Sequence, residues 1–212
     1  MSRIAGVEIL KQNTNRIFHI RQQRGKRQMS KPLFLIVGES GSGKTTLNEM
    51  LEQREGLKQI QSYTTRPPRT ETETGHIFVN KEGFSQLKDV LAYTEYLGNE
   101  YGVTKEQIDN EDYILYTIDP VGVKYLKKNY KGDRKLIVIY IKASYDARLS
   151  RVWERHRKMF DSINANIETN KRLANDEEAF KDVEYIADFK VENSEDIELA
   201  YKYLLNIVKN VK

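Results

Sequence analysis

Five consecutive apolar residues, Leu33-Phe34-Leu35-Ile36-Val37, run directly into Gly38-Glu39-Ser40-Gly41-Ser42-Gly43-Lys44-Thr45, and Thr46-Leu47-Asn48-Glu49-Met50-Leu51 follows. The middle segment fits G-x-x-x-x-G-K-[ST], with a strand pattern before it and a helix pattern after it. That context carries more weight than the pattern alone. Glycines here let the backbone fold into a nest whose N–H groups face phosphate oxygens, where bulkier residues would obstruct. The helix that follows turns its positive end toward the same anion. Lys44 then reaches the β- and γ-phosphates, and the Thr45 hydroxyl is placed to ligate Mg²⁺. The expected ligands are ATP and Mg²⁺. The expected donor-site residues are Gly38, Glu39, Ser40, Gly41, Ser42, Gly43, Lys44, Thr45 and Thr46.

Beyond this loop, short apolar runs alternate with helical periods. Leu33–Val37, Gln59–Tyr63, Tyr113–Ile118, Leu136–Ile141 and Ile186–Val191 read as strands buried on both faces of a parallel sheet. Thr45–Gln53, Val121–Asn129, Tyr145–Arg157 and Ser162–Phe180 read as helices. The C-terminal stretch carries Ile197, Ala200, Leu204, Ile207, Val208 and Val211 along one stripe, with Ser194 as the expected N-cap. Such alternation predicts an α/β domain, and with the phosphate loop it predicts the P-loop NTPase fold: a five-stranded parallel sheet flanked by helices.

Charge divides the 212-residue chain unevenly. Residues 1–28 carry seven Lys/Arg against one acid, while the rest holds 28 Lys/Arg and 30 Asp/Glu. The overall +4 therefore belongs to a basic N-terminal extension, and the nearly neutral body argues against nucleic acid as a partner. No apolar run approaches the ~20 residues of a membrane-spanning helix. Cys is absent, which excludes disulfides and thiol catalysis, and three His without an H-E-x-x-H pattern argue against a zinc hydrolase. The expected setting is cytoplasmic, as a monomer or homodimer acting on small molecules.

The acceptor side is written in Ser62-Tyr63-Thr64-Thr65-Arg66-Pro67-Pro68-Arg69. Two Arg three apart, stiffened by Pro-Pro, suit a dianionic phosphate, and the same run also reads as a solvated basic turn. Arg151 and Arg155 lie four apart and share a helix face, either as a pair delivered by a lid or as surface partners of Asp146 and Glu154. Three further stretches matter: Gly98-Asn99-Glu100-Tyr101-Gly102, Ile118-Asp119-x-x-Gly122, and Arg151-x-x-x-Arg155 with Arg172. Together with the loop and the Ser62–Arg69 run, in this order and at these distances, the sequence resembles the guanylate kinase family from about Pro32 to Val211. The resemblance implies an insertion at about 62–104 that binds the acceptor and a helical lid at about 152–175, within a domain spanning 29–212. It implies that Arg66, Arg69 and Tyr101 hold the acceptor phosphate, with Ser62 and Asp119 facing its base. Arg151, Arg155 and Arg172 would close over the transferring group as catalytic residues with Lys44 and Arg66, and Asn193 would lie near the donor adenine.

The sequence departs from the family in its base-reading positions. Ala92 stands where the family has the acid that pairs with the guanine N1 and N2 hydrogens, Val103 where it has a hydroxyl, and Thr117 where it has an Asp. His76 falls where the family has a second phosphate-binding Tyr. The resemblance thus implies ATP-dependent phosphoryl transfer to GMP or dGMP. Another or modified nucleotide and ribose 1,5-bisphosphate are the alternative acceptors, and a guanylate-kinase-like interaction module is the non-enzymatic one. The intact Gly43-Lys44-Thr45 favours the enzyme.

Overall fold

A computed structural model describes residues 30–68, 71, 73 and 75–211; the basic extension at 1–28 and Arg69 lie outside the described residues. Along the chain the elements are β1 (Leu33–Val37), α1 (Lys44–Glu55), β2 (Lys58–Ile60), β3 (Ser62–Thr64), β4 (His76–Phe78), α2 (Lys81–Ser85), β5 (Val90–Tyr96), β6 (Asn99–Thr104) and α3 (Lys105–Asp109). There follow β7 (Tyr113–Thr117), α4 (Pro120–Asn129), β8 (Leu136–Lys142), α5 (Tyr145–His156), α6 (Ser162–Phe180), α7 (Val183–Ile186), β9 (Phe189–Glu192) and α8 (Ile197–Asn210).

The continuous apolar run of β1 is explained by its place at the centre of a five-stranded sheet, order β2-β7-β1-β8-β9. Every pairing in that sheet is parallel. Side chains alternate across the pleat, so both faces must be apolar when both are covered. Leu33, Leu35 and Val37 pack with Val123 and Leu126 of α4 on one face. Phe34 and Ile36 pack with Leu47 and Leu51 of α1 and with Ala200 and Leu204 of α8 on the other. Each such buried side chain contributes about 2 kcal/mol.

A second sheet, four strands in the order β4-β3-β6-β5, is built from residues between Ser62 and Thr104. The expected strand over Gln59–Tyr63 is interrupted at Gln61: β2 ends the parallel sheet, and β3 opens the second one. A single apolar run cannot reveal that its two halves pair with different partners. The expected strand over Ile186–Val191 begins only at Phe189, because Val183–Ile186 forms α7 and buries Val183 against the core.

Caps account for most boundaries. Asp119 caps α4, its carboxylate accepting from Gly122 N at 2.8 Å, with Pro120 in the first turn. The expected Ser194 cap of α8 is corrected to Asp196, which accepts from Glu198 N at 2.9 Å and Leu199 N at 3.1 Å. Ser194 Oγ instead accepts from Ser144 N, beside the start of α5. Helices α5 and α6 pack together, and the buried pair His156 Nδ1 and Thr169 Oγ1, 3.0 Å apart, joins them. Among the described residues no helix is long and apolar enough to cross a membrane.

Candidate active site

The turn between β1 and α1 adopts backbone angles that its glycines permit. Gly41 and Gly43 have φ of +80° and +94°, left-handed values that disfavour a side chain. A methyl group on Gly41 would stand 2.7 Å from Arg148 O, and one on Gly43 would overlap the Asn193 amide. The loop is therefore packed as tightly as it is bent. Arg148 Nε donates to Ser40 O at 3.2 Å, and the Asn193 side chain donates to Ser42 O at 2.7 Å. Arg151 donates to Gly41 O, Asn193 O and Ser194 O, at 3.2, 2.9 and 3.2 Å. These cations and amides take up the loop's carbonyls, while on its N–H side Ser40 N donates to Asp176 Oδ2 at 2.6 Å and Ser42 N to Glu39 O at 3.2 Å.

Lys44 lies inside this turn, its ammonium donating to Gly38 O and to Glu39 O at 2.5 and 3.0 Å. Burial pulls its pKa down to about 8, opposed by Asp176 and Glu39 and assisted by the positive charges of Arg172 and Arg155. Thr45 and Thr46 stand exposed on the first turn of α1. Glu39 is held by Tyr140, whose hydroxyl lies 3.0 Å from both carboxylate oxygens, and by Arg148 at 3.4 Å. Ser42 is fully buried.

One cavity connects the loop to the second sheet. From the loop it is lined by Gly38, Ser40 and Lys44, and from the acceptor side by Ser62, His76, Tyr101 and Asp119. Ser62 and His76 are 14 residues apart, and the parallel pairing of β3 with β4 sets them side by side, Ser62 Oγ to His76 Nδ1 at 2.8 Å. The His76 ring meets the Tyr101 ring edge-on at 5.8 Å between centroids. Asp119 is pushed above the usual carboxylate range by burial, while Gly122 N and the Thr94 hydroxyl pull in the opposite direction. Beneath it the Tyr116 hydroxyl is raised far above the ordinary phenol range, again by burial.

The expected arginines are distributed unequally. Arg172 lines the cavity and donates from Nε to Ser40 Oγ at 2.8 Å. Arg155 acts on Lys44 through its charge. Arg151 is committed to main-chain carbonyls and is not among the residues lining the cavity. Arg66 forms a two-pronged pair with Glu73, at 3.2 and 2.7 Å, and lies over the Phe78 ring. Among the base-side positions, Ala92 is a buried part of the cavity wall, and Val103 is fully buried in the core. Thr117 takes a hydrogen bond from Asn48 at 2.8 Å.

Sequence reasoning missed Arg148, Asp176, Tyr96 and Phe180. Arg148 was open to discovery, being three residues ahead of Arg151 on the same helix. So was Asp176, four residues beyond Arg172 and hence on the same face of α6. Tyr96 and Phe180 carry no local signal, and only the closure of the fold brings them to the cavity.

A family model described as Guanylate kinase matches residues 29–211. A guanylate kinase of Bartonella henselae is 31% identical over 145 residues, 64% of this chain and 64% of that protein. The chain thus spans just under two thirds of that relative. A guanylate kinase of Nitrobacter winogradskyi is 28% identical over 188 residues, 84% of this chain and 81% of its own. The crystal structure of a guanylate kinase from Anaplasma phagocytophilum shares the fold with a TM-score of 0.52 at 22% identity, over 85% of this chain and 86% of that one. With a family model covering nearly all of the chain after the basic extension, this protein belongs to the guanylate kinase family.

Proposed function

We propose that this chain transfers the terminal phosphoryl group of ATP to the phosphate of GMP or dGMP, giving ADP and GDP or dGDP. The observation that supports it is the single cavity in which Lys44 and Arg172 stand between the phosphate loop and the Ser62, His76, Tyr101 and Asp119 wall. An acceptor phosphate oxygen attacks the γ-phosphorus while the bond to the ADP oxygen breaks, so the protein's task is alignment and charge neutralisation. In this reading the loop N–H groups hold the donor phosphates, and Lys44, Arg155 and Arg172 neutralise the migrating charge. Arg151 and Asn193 keep the loop in shape. Arg66, Arg69, His76 and Tyr101 orient the acceptor phosphate, with Arg66 exchanging Glu73 for it, and Ser62 and Asp119 face the base.

Mg²⁺ suits the donor set: Thr45 offers a hard hydroxyl oxygen on the first turn of α1, beside the N–H nest that would carry the phosphates. When bound, the ion neutralises charge on the β- and γ-phosphates. A reaction supplied by ATP fits a cytoplasmic setting.

The test is ADP release from ATP with Mg²⁺ across GMP, dGMP, AMP, CMP, UMP, dTMP and ribose 1,5-bisphosphate, with Lys44→Ala as control. GMP or dGMP should turn over best, and Lys44→Ala should lower the rate by at least about a hundredfold. Turnover with another acceptor alone would mark Ala92 and Val103 as a change of substrate and overturn the assignment.

A further inference from the structure

Asp176 is a buried carboxylate for which phosphoryl transfer has no evident use. It is 2% exposed, near the end of α6, and its Oδ2 accepts from the backbone N–H of Ser40 at 2.6 Å. That N–H belongs to the phosphate loop. One turn earlier on the same helix, Arg172 binds the Ser40 hydroxyl. Asp176 is the foremost of the negative charges acting on Lys44, and Arg148 Nη2 lies 3.7 Å from its Oδ2. The Tyr96 hydroxyl faces it from β5. A loop N–H, a lysine ammonium and an arginine are what a phosphate oxygen asks for; here the Asp176 carboxylate takes the N–H, lies 3.7 Å from Arg148 and acts on Lys44 through its charge.

The position is as telling as the partners. Asp176 lines the cavity together with Lys44, Ser40 and Arg172, between the loop and the acceptor wall. On the kinase reading given above, on which this inference rests, that is where the terminal phosphoryl group passes. A carboxylate and a terminal phosphate cannot share one set of cations at this distance without strong repulsion.

We infer that Asp176 stands in for the terminal phosphate of the donor and thereby sets the enzyme's choice between nucleoside diphosphate and triphosphate. With α6 seated on the loop through Asp176, the donor site accepts a nucleoside diphosphate. A triphosphate must displace the carboxylate, and with it this seating of α6. Differential affinity for the two arrangements of the lid then shows as differential affinity for the two nucleotides.

The test needs no acceptor. Binding of ADP and of ATP, each with Mg²⁺, is measured by titration calorimetry on the full chain, for the wild type, Asp176→Asn and Asp176→Ala. The wild type should bind ATP no more tightly than ADP. Both variants should shift the ATP-to-ADP affinity ratio toward ATP by about tenfold, since the competing charge is gone. Asp176→Asn keeps the shape and an acceptor for the Ser40 N–H, so it carries the test if the Ala variant fails to fold. A wild type that binds ATP tenfold more tightly than ADP would overturn the inference without recourse to any variant. So would variants that weaken both nucleotides equally, which would leave Asp176 as a support of the lid only. A wild type that binds neither nucleotide would remove the kinase reading itself, and this inference with it.

Discussion

At the scale of the residue, Lys44 is caught between two demands. The phosphates require an ammonium, and the turn that presents it removes that ammonium from water. With the pKa drawn down to about 8 by burial, the charged form is present below that pH and lost above it. ATP affinity should therefore be flat below pH 8 and weaken by about tenfold per pH unit above it. Titrations from pH 6.5 to 9.5 check this, and Lys44→Met should bind weakly with no such dependence. Fold stability moves in the opposite sense. The unfolded chain keeps its proton up to about 10.5, so over the interval from about 8 to 10.5 this one group favours the folded state more as pH rises. A phosphate-loop lysine was legible at once from the spacing of Gly38, Gly43 and Lys44, because that chemistry is local. Asp176 could be flagged from its place four residues after Arg172, but its contact with Ser40, 136 residues away, could not be read locally.

At the scale of the element, Arg134 explains how the bottom of the core is closed. Its buried guanidinium donates to five carbonyls: Lys31 at 2.9 Å, Pro32 at 3.2 Å, Ile108 at 2.6 Å, Asn110 at 3.1 Å and Tyr113 at 2.7 Å. One side chain thereby fastens the chain before β1, the end of α3 and the start of β7. Arg134→Ala should lower the unfolding free energy by about 3 kcal/mol, because buried acceptors are left without donors. Arg134→Lys should recover only part of it, an ammonium having no planar fork. The check is the denaturant midpoint of both variants. In the sequence this residue sits in Lys131-Gly132-Asp133-Arg134-Lys135, a charged run with nothing to mark it as buried. Element identity was far more legible than element ends. The apolar runs marked β1, β7 and β8 because burial on both faces imposes composition. The breaks at Gln61 and before Phe189 depend on tertiary partners that no local window contains.

At the scale of the molecule, the charge distribution gives a direct prediction. The basic residues that raise the net charge lie in residues 1–28, whereas the family match begins at residue 29. A chain lacking residues 1–28 should keep kcat/KM within about twofold, measured under the same conditions as the full chain; a larger loss would make the extension part of the catalytic unit. The strands of the parallel sheet and the long helices between them were readable because strand and helix periods alternate, whereas the short strands of the second sheet were not picked out. The union of Ser62, His76, Asp119 and Asp176 in one cavity was not, since it is produced by pairing between strands and by the seating of α6. The crossing at Gln61 has a counterpart. Gln107, in the first turn of α3, donates from Nε2 to Gln61 O at 2.9 Å, so the point where the chain leaves the parallel sheet is tied to the point just after it completes the second one. A segment whose two ends are clasped together in this way behaves as an exchangeable cassette. Side chains on its strands, such as Ala92 and His76, can then be exchanged without disturbing the parallel sheet that carries the Gly38–Thr45 loop.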